Sequence, residues 1–324
     1  MPFFQQTIAP EPAVLPDYGT MTKGRNIPVF KETGAYAGIA SIPRREKNLR
    51  FVLETLYGQM DHFFIYLNGY DSVPNWMEDR KVTVFRSQDY IDMNATGKVF
   101  FAERIDKGFF FTLDDDFLYP GNYVAHLKQT MANYDNRVAA CVHGSIFPEN
   151  PEYYYMRTAI YQYQGGLKTD RFVCLPGTGS FAVNVCNVDL SLRQFLPEVM
   201  VDLTCAILCK NNKVPLVCVS RPHRWLRNTD REGLYQQFTK EKTHHTHYAM
   251  AEAPWDFSQY SCTIRDIMEH IVAKDAKALE NPKLDHDAFI AARRGIVPGN
   301  WQNTPQYYAR MAEYYRSMDY TFKV

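Results

Sequence analysis

The stretch Gly108-Phe109-Phe110-Phe111-Thr112-Leu113-Asp114-Asp115-Asp116 decides how this chain is read. Six residues of low polarity predict a buried strand, and three carboxylates follow with nothing between. Adjacent aspartates repel one another unless a cation or hydrogen-bond donors compensate them. Two readings are open: a site for a cation with a phosphate, or a helix cap, since aspartate caps helices well. The position directly after a buried strand favours the first.

Upstream of that stretch, strand and helix patterns alternate. Tyr36-Ala-Gly-Ile-Ala-Ser41 reads as a strand ending in Ser41-Ile42-Pro43-Arg44-Arg45. Leu49, Val52, Leu53, Leu56 and Tyr57 recur at helical spacing. His62-Phe-Phe-Ile-Tyr-Leu67 is a second strand, closed by the turn pair Asn68-Gly69. Val82 to Phe85 fits a third strand, and Gly97 to Ile105 a helix. This alternation predicts an α/β fold with a central, mostly parallel sheet flanked by helices. Such sheets bind ligands beyond the carboxyl ends of their strands. Residues 41–45, Asn68-Gly69 and the three aspartates all fall at such ends.

The second part is less regular. A helix is expected over 119–134, strands over 138–143, 181–185 and 214–219, and a helix over 200–210. The aromatic stretch 145–169 reads as an extended loop, and 221–247 as a basic, histidine-rich loop. Amphipathic helices are expected over 263–279 and 305–318. The chain divides into an irregular arm (1–34), a catalytic domain (35–248) and a helical extension (249–324).

The bulk numbers exclude some classes. The chain has 324 residues, 46% of them hydrophobic, enough for a sizeable core. Lysine plus arginine equals aspartate plus glutamate at 36 each, so no global field draws it to nucleic acid or an anionic membrane. No apolar run is long enough to span a bilayer, and no secretory signal is visible at the start. Seven cysteines sit mostly in apolar runs without a Cys-x-x-Cys pair, which reads as buried thiols in a reducing cytoplasm. Cys205 and Cys209 lie one helical turn apart, and His244, His245 and His247 cluster. Neither group has the second ligand pair that a zinc site needs.

The motifs Gly38-Ile-Ala-Ser-Ile-Pro-Arg-Arg45, Leu56-Tyr57, Ile65-Tyr-Leu-Asn-Gly-Tyr70 with Pro74, Phe85-Arg86-Ser87, Gly97-Lys98 and Phe111-Thr-Leu-Asp-Asp-Asp116 with Tyr119-Pro120 together resemble the glycosyltransferases of bacterial capsule synthesis. The nearest family is the α-N-acetylglucosaminyltransferases of heparosan-type capsules. The resemblance covers 36–125 well and 138–230 loosely. It implies a GT-A fold and transfer of a sugar from a UDP-sugar, UDP-GlcNAc among the candidates, to a hydroxyl of a glycan acceptor.

The resemblance also implies roles. Asp116 and Asp114 would hold Mn2+ or Mg2+, with Asp114 also near the nucleoside and Asp115 assisting. Ser41, Pro43, Arg44 and Arg45 would pass along the nucleotide, an arginine fork pairing with phosphate. Asn68 would lie by the base, and Lys98 would reach the diphosphate. Gly179, in Gly177-Thr-Gly-Ser180, would line the donor sugar. Asp202 would act on the acceptor hydroxyl or, in an enzyme that retains configuration, orient the sugar; an N-cap is its plainer reading. His223 would add a metal ligand, and Arg224 and Arg227 would close over the diphosphate.

Three other outcomes are carried forward. The acceptor could be a polyanion, such as DNA with hydroxylated bases, recognised by 221–242 and Arg293-Arg294. The chain could be a nucleotidyltransferase, although Gly38 alone makes no phosphate loop, or a non-catalytic scaffold. The C-terminal helices leave room for docking to a partner glycosyltransferase or to the inner face of a membrane.

Overall fold

The computed structural model describes residues 27–195, 200–229, 248–255 and 258–286, with Met21, Lys23 and Ala288. The expected helix over 305–318, the histidines 244, 245 and 247, Arg293-Arg294 and most of the 221–247 loop lie outside these residues.

The first half follows the sequence pattern. β1 (Gly34–Ser41) buries every residue but one. A tight turn at Pro43–Arg45 leads into α1 (Glu46–Leu56), where proline suits the start because its missing N–H has no intrahelical partner there. Leu49, Val52, Leu53 and Leu56 form the buried stripe of α1. β2 (His62–Leu67), β3 (Val82–Arg86) and β4 (Gly108–Leu113) follow. β5 (Phe117–Leu118) comes directly after the aspartates and α2 (Tyr123–Asn133) after β5.

The second half is built from shorter pieces. These are β6 (Ala139–Cys141), β7 (Gly144–Ile146), β8 (Ala159–Tyr161), β9 (Arg171–Val173), β10 (Leu175–Pro176) and β11 (Ser180–Asn184). Then come α3 (Val201–Asn211), β12 (Leu216–Cys218), β13 (Arg227–Asn228) and α4 (Ser258–Lys274).

Eight strands make the central sheet in the order β3-β2-β1-β4-β11-β6-β12-β9. β1, β2, β3 and β4 are mutually parallel, β11 opposes β4 and β6, and β12 is parallel to β6. β9 opposes β12 at the edge. From β1 the chain steps outward through β2 to β3, then returns to place β4 on the other side of β1. The order therefore reverses between β1 and β4, which opens a crevice at their carboxyl ends. Because β11 runs the other way, its start lies at that same edge. Ser180 pairs with Leu113 and Phe181 with Cys141, so the turn 177–179 sits between Asp114 and His143.

Two departures from expectation have local causes. The segment expected as a helix over 97–105 consists of 3-10 turns at Asn94–Val99 and Ala102–Arg104. It is pressed against the sheet: a Cβ on Gly38 would meet the Lys98 carbonyl at 1.8 Å, and one on Gly97 the Tyr66 ring at 2.6 Å. The strand expected over 138–143 stops at Cys141, because the Val142 and His143 amides turn to Ser180 Oγ, at 3.2 Å each. Within 145–169, β7 and β8 pair, and β10 joins β7 in a small three-stranded sheet.

Phe30, expected in an irregular arm, is docked. Its amide donates to the Arg104 carbonyl at 2.7 Å, and its ring meets Tyr36, Phe64 and Phe101 edge-on. At the other end, α4 buries Ile264, Ile267, Met268 and Ile271. Residues 283–285 lie along β9: the Asp170 amide donates to the Lys283 carbonyl at 2.7 Å and the Phe172 amide to Asp285 Oδ2 at 3.1 Å. No helix among the described residues is long and apolar enough to cross a membrane.

Candidate active site at the β1/β4 crevice

The three aspartates do three different jobs. Asp115 is buried and joins the two lips of the crevice. Its Oδ2 accepts from Ser41 Oγ at 2.6 Å, and its Oδ1 accepts from Arg45 Nη1 at 2.8 Å. Burial raises its pKa, while Ser41 and Arg45 pull it back. Asp114 takes Lys98: Nζ lies 2.5 Å from Oδ1. Burial alone would lower the Lys98 pKa, but the charge and hydrogen bond of Asp114, with the charges of Asp202 and Asp115, together outweigh it and raise the pKa. Among the described residues the Asp116 carboxylate pairs with Arg45 alone, whose Nη1 lies 3.2 Å from its Oδ2. Burial first, then the charge of Asp114, pushes the Asp116 pKa up to about 7.

Asp202 completes the group. It is the second residue of α3, not its cap. Its Oδ1 accepts from the Thr178 amide at 2.8 Å and from Thr178 Oγ1 at 2.5 Å. Burial raises its pKa, and Lys98 acts against that. Four carboxylates thus surround two buried cations, Arg45 and Lys98.

The floor is the turn 177–179. A Cβ on Gly179 would come within 2.2 Å of Asp114 Oδ2 and 2.6 Å of the Phe117 ring. Only glycine lets the turn lie this close. Tyr119 pins the arrangement: its hydroxyl accepts from the Asp114 amide at 2.9 Å and donates to the Gly179 carbonyl at 2.6 Å.

The structure thus brings together Ser41, Arg45, Lys98, Asp114, Asp115, Asp116, Gly179 and Asp202. Pro43 and Arg44 are exposed at the start of the 41–45 turn. Asn68 lies at the same edge, but its side chain is spent on the protein: Nδ2 donates to the Asn94 carbonyl at 2.9 Å and Oδ1 accepts from the Met93 amide at 3.2 Å. It shapes the 93–94 loop and offers no amide group to a base. Arg227 is exposed on β13, which pairs with β5. Just beyond it, the Thr229 amide and hydroxyl both donate to the Asp116 carbonyl, at 2.6 and 3.0 Å. This draws the strap 227–229 over the acidic loop. Arg224 and His223 are exposed on the turn before it.

Among the described residues no group of three His, Cys, Asp or Glu side chains is arranged to hold a metal. His223 is therefore not joined to Asp114 and Asp116 in a ligand set. Cys205 and Cys209 are buried free thiols. Two crowded carboxylates with Asp116 pushed up to about 7 still suit a hard cation of the magnesium type. Such ions take one or two carboxylates and complete their shell with water and substrate phosphate. The fit is to an ion that arrives with a diphosphate, not to an all-protein cage.

Sequence reasoning missed His143. It ends the expected strand 138–143 at the ligand-binding edge, a signal as good as the one that marked Ser41. The sequence matches no protein-family model and no curated protein.

Proposed function

We propose that this chain is a glycosyltransferase of GT-A type that moves a sugar from a UDP-sugar to a hydroxyl of a glycan acceptor. The observation that carries the reading is the division of the aspartates at the β1/β4 reversal. Asp115 is consumed in joining the lips, and Asp114 and Asp116 are left crowded and facing the crevice. A parallel β3-β2-β1-β4 half-sheet followed by an opposed β11 supports it.

Asp114 and Asp116 would hold the Mn2+ or Mg2+, which when bound would stabilise the charge of the leaving diphosphate as a Lewis acid. The protein's own groups do the rest. Arg45, fixed by Asp115, sets the position of the Asp116 carboxylate. Lys98 pairs with Asp114 Oδ1 while Oδ2 lies against Gly179, and the Lys98 charge extends to Asp202. Gly179 lets a sugar lie on bare backbone. Asp202 is locked through one oxygen by Thr178, which fixes the orientation of the carboxylate toward the sugar. Arg44, Arg224 and Arg227, exposed and without a carboxylate partner among the described residues, supply mobile positive charge for the diphosphate.

Titration calorimetry of UDP with and without Mn2+ tests the reading. Binding should require the metal, and Asp116→Ala should abolish it and lower UDP release from the UDP-sugar by about a hundredfold or more. Equal affinity with and without Mn2+, or a fully active Asp116→Ala, would sink the assignment.

A further inference from the structure

His143 stands on the far side of the glycine turn from Asp114. The register of β11 against β4 and β6 puts Asp114, the turn 177–179 and His143 in one row along the carboxyl edge of the sheet. The imidazole is packed flat on that turn: a Cβ on Gly177 would lie 2.9 Å from His143 Cβ and 3.0 Å from Cδ2. The Tyr163 ring, 6.3 Å away centre to centre, flanks it and leads back through Phe117 (4.9 Å) toward the aspartates.

Among the described residues this histidine's ring has no hydrogen-bond partner. Its main chain is fully used, the amide donating to Ser180 Oγ and the carbonyl accepting from the Gly177 amide. Its Nδ1 is sealed from solvent without a hydrogen-bond partner, and no hydrogen bond reaches either ring nitrogen among the described residues. Polar groups inside a protein are ordinarily satisfied, so a half-buried ring at the edge of a crevice with neither nitrogen bonded calls for a ligand. The charges acting on the ring are Arg221 and Arg157, of the same sign as an imidazolium, and no carboxylate offsets them. With burial they push its pKa down to about 4, so the ring stays neutral. A neutral imidazole is one donor and one acceptor, the complement of a hydroxyl and a poor match for a phosphate or carboxylate.

We propose that His143 hydrogen-bonds a hydroxyl of the sugar carried by the nucleotide, and so reads which sugar enters. The proposal rests on the sugar-transfer reading of the crevice and adds to it a specificity-determining residue. The imidazole holds the hydroxyl in place and takes no proton from it, because a ring so hard to protonate is a weak base at neutral pH.

The test uses the full chain, Mn2+, and calorimetric titration with UDP, UDP-glucose, UDP-galactose, UDP-GlcNAc and UDP-glucuronate. In the wild type at least one UDP-sugar should bind more tightly than UDP. His143→Ala should weaken that sugar about tenfold, the loss of one good neutral hydrogen bond, and leave UDP within twofold. His143→Gln, which keeps a donor and an acceptor, should recover most of the loss. Unchanged UDP binding shows in each variant that the crevice is intact. If His143→Ala binds the UDP-sugar as well as the wild type, or loses UDP and UDP-sugar alike, His143 does not read the sugar. If the wild type binds UDP but no UDP-sugar more tightly, this inference falls and the nucleotide site survives. If it does not bind UDP at all, the sugar-transfer reading falls first and takes this inference with it.

Discussion

The two sides of the turn 177–179 handle polar groups in opposite ways. On the β4 side, carboxylates are paired with donors: Asp114 with Lys98, and Asp115 with Arg45 and Ser41. On the β6 side, groups are kept neutral or sheltered. His143 is held uncharged, and Arg221 is buried with its donors on the Val219 and Gln162 carbonyls at 2.7 Å each. Arg157 donates to Ser145 Oγ at 2.9 Å and lies over the Phe147 ring at 4.2 Å. A crevice with charge at one end and neutral hydrogen-bonding capacity at the other suits a ligand that is itself divided: an anionic diphosphate with its cation, joined to an uncharged polyol.

The contrast can be broken most forcefully at Lys98. Lys98→Met strips the buried cation from Asp114 and Asp202 and should cost about 3–5 kcal/mol in urea unfolding. A loss below about 1 kcal/mol would show that the acidic end does not depend on internal pairing.

A finer cut compares the two glycines. Gly179→Ala drives a methyl group into Asp114 Oδ2 and should destabilise by about 1–3 kcal/mol while weakening Mn2+-dependent UDP binding. Gly177→Ala meets the His143 side chain first, at 2.9 Å rather than 2.2 Å, so it should cost less and leave UDP affinity alone. Equal losses of UDP affinity would merge the two ends into one site.

The gentlest probe is pH, read as melting temperature in EDTA. Asp116 has a folded pKa of about 7 against an ordinary 3.8, so between those values the folded state binds more protons than the unfolded. Its contribution to stability therefore falls as pH rises through that window, by up to about 1.4 kcal/mol per pH unit. His143 has the reverse sign. Its folded pKa of about 4 lies below the ordinary 6.5, so stability is lost as pH falls from 6.5 toward 4. His62, also lowered to about 4 by burial, adds to that slope. Asp116→Asn should reduce the first slope only, which the raised Asp115, Asp170 and Asp202 share, and His143→Gln should reduce the second only, which His126 shares with His62.

The same division decides what the sequence revealed. β1, β2 and β4 are six to eight residues long and almost wholly buried, so their apolar runs stand out and the residues after them are marked as site candidates. β6, β7, β8, β9 and β12 are three residues each, too short for any period to register. The importance of His143 depends on Gly177, thirty-four positions later, which no local pattern connects to it. Asn68 shows the opposite failure. Its place after a strand was legible, but the use of its amide on residues 93–94 depends on tertiary structure. Whether His223 joins a metal-ligating group, which it does not among the described residues, is likewise a matter of how the 221–229 turn docks, not of spacing.

One consequence of the contact between residues 283–285 and β9 concerns where this chain can be cut. β3, at one edge of the sheet, is only half-buried, whereas β9 at the other has Lys283 and Asp285 laid against its amides. A truncation made upstream of Lys283 would strip that cover and leave an open row of donors and acceptors, a template for pairing with another chain. A well-behaved version of this protein therefore has to run at least through Asp285, well past the point where the sheet itself is complete.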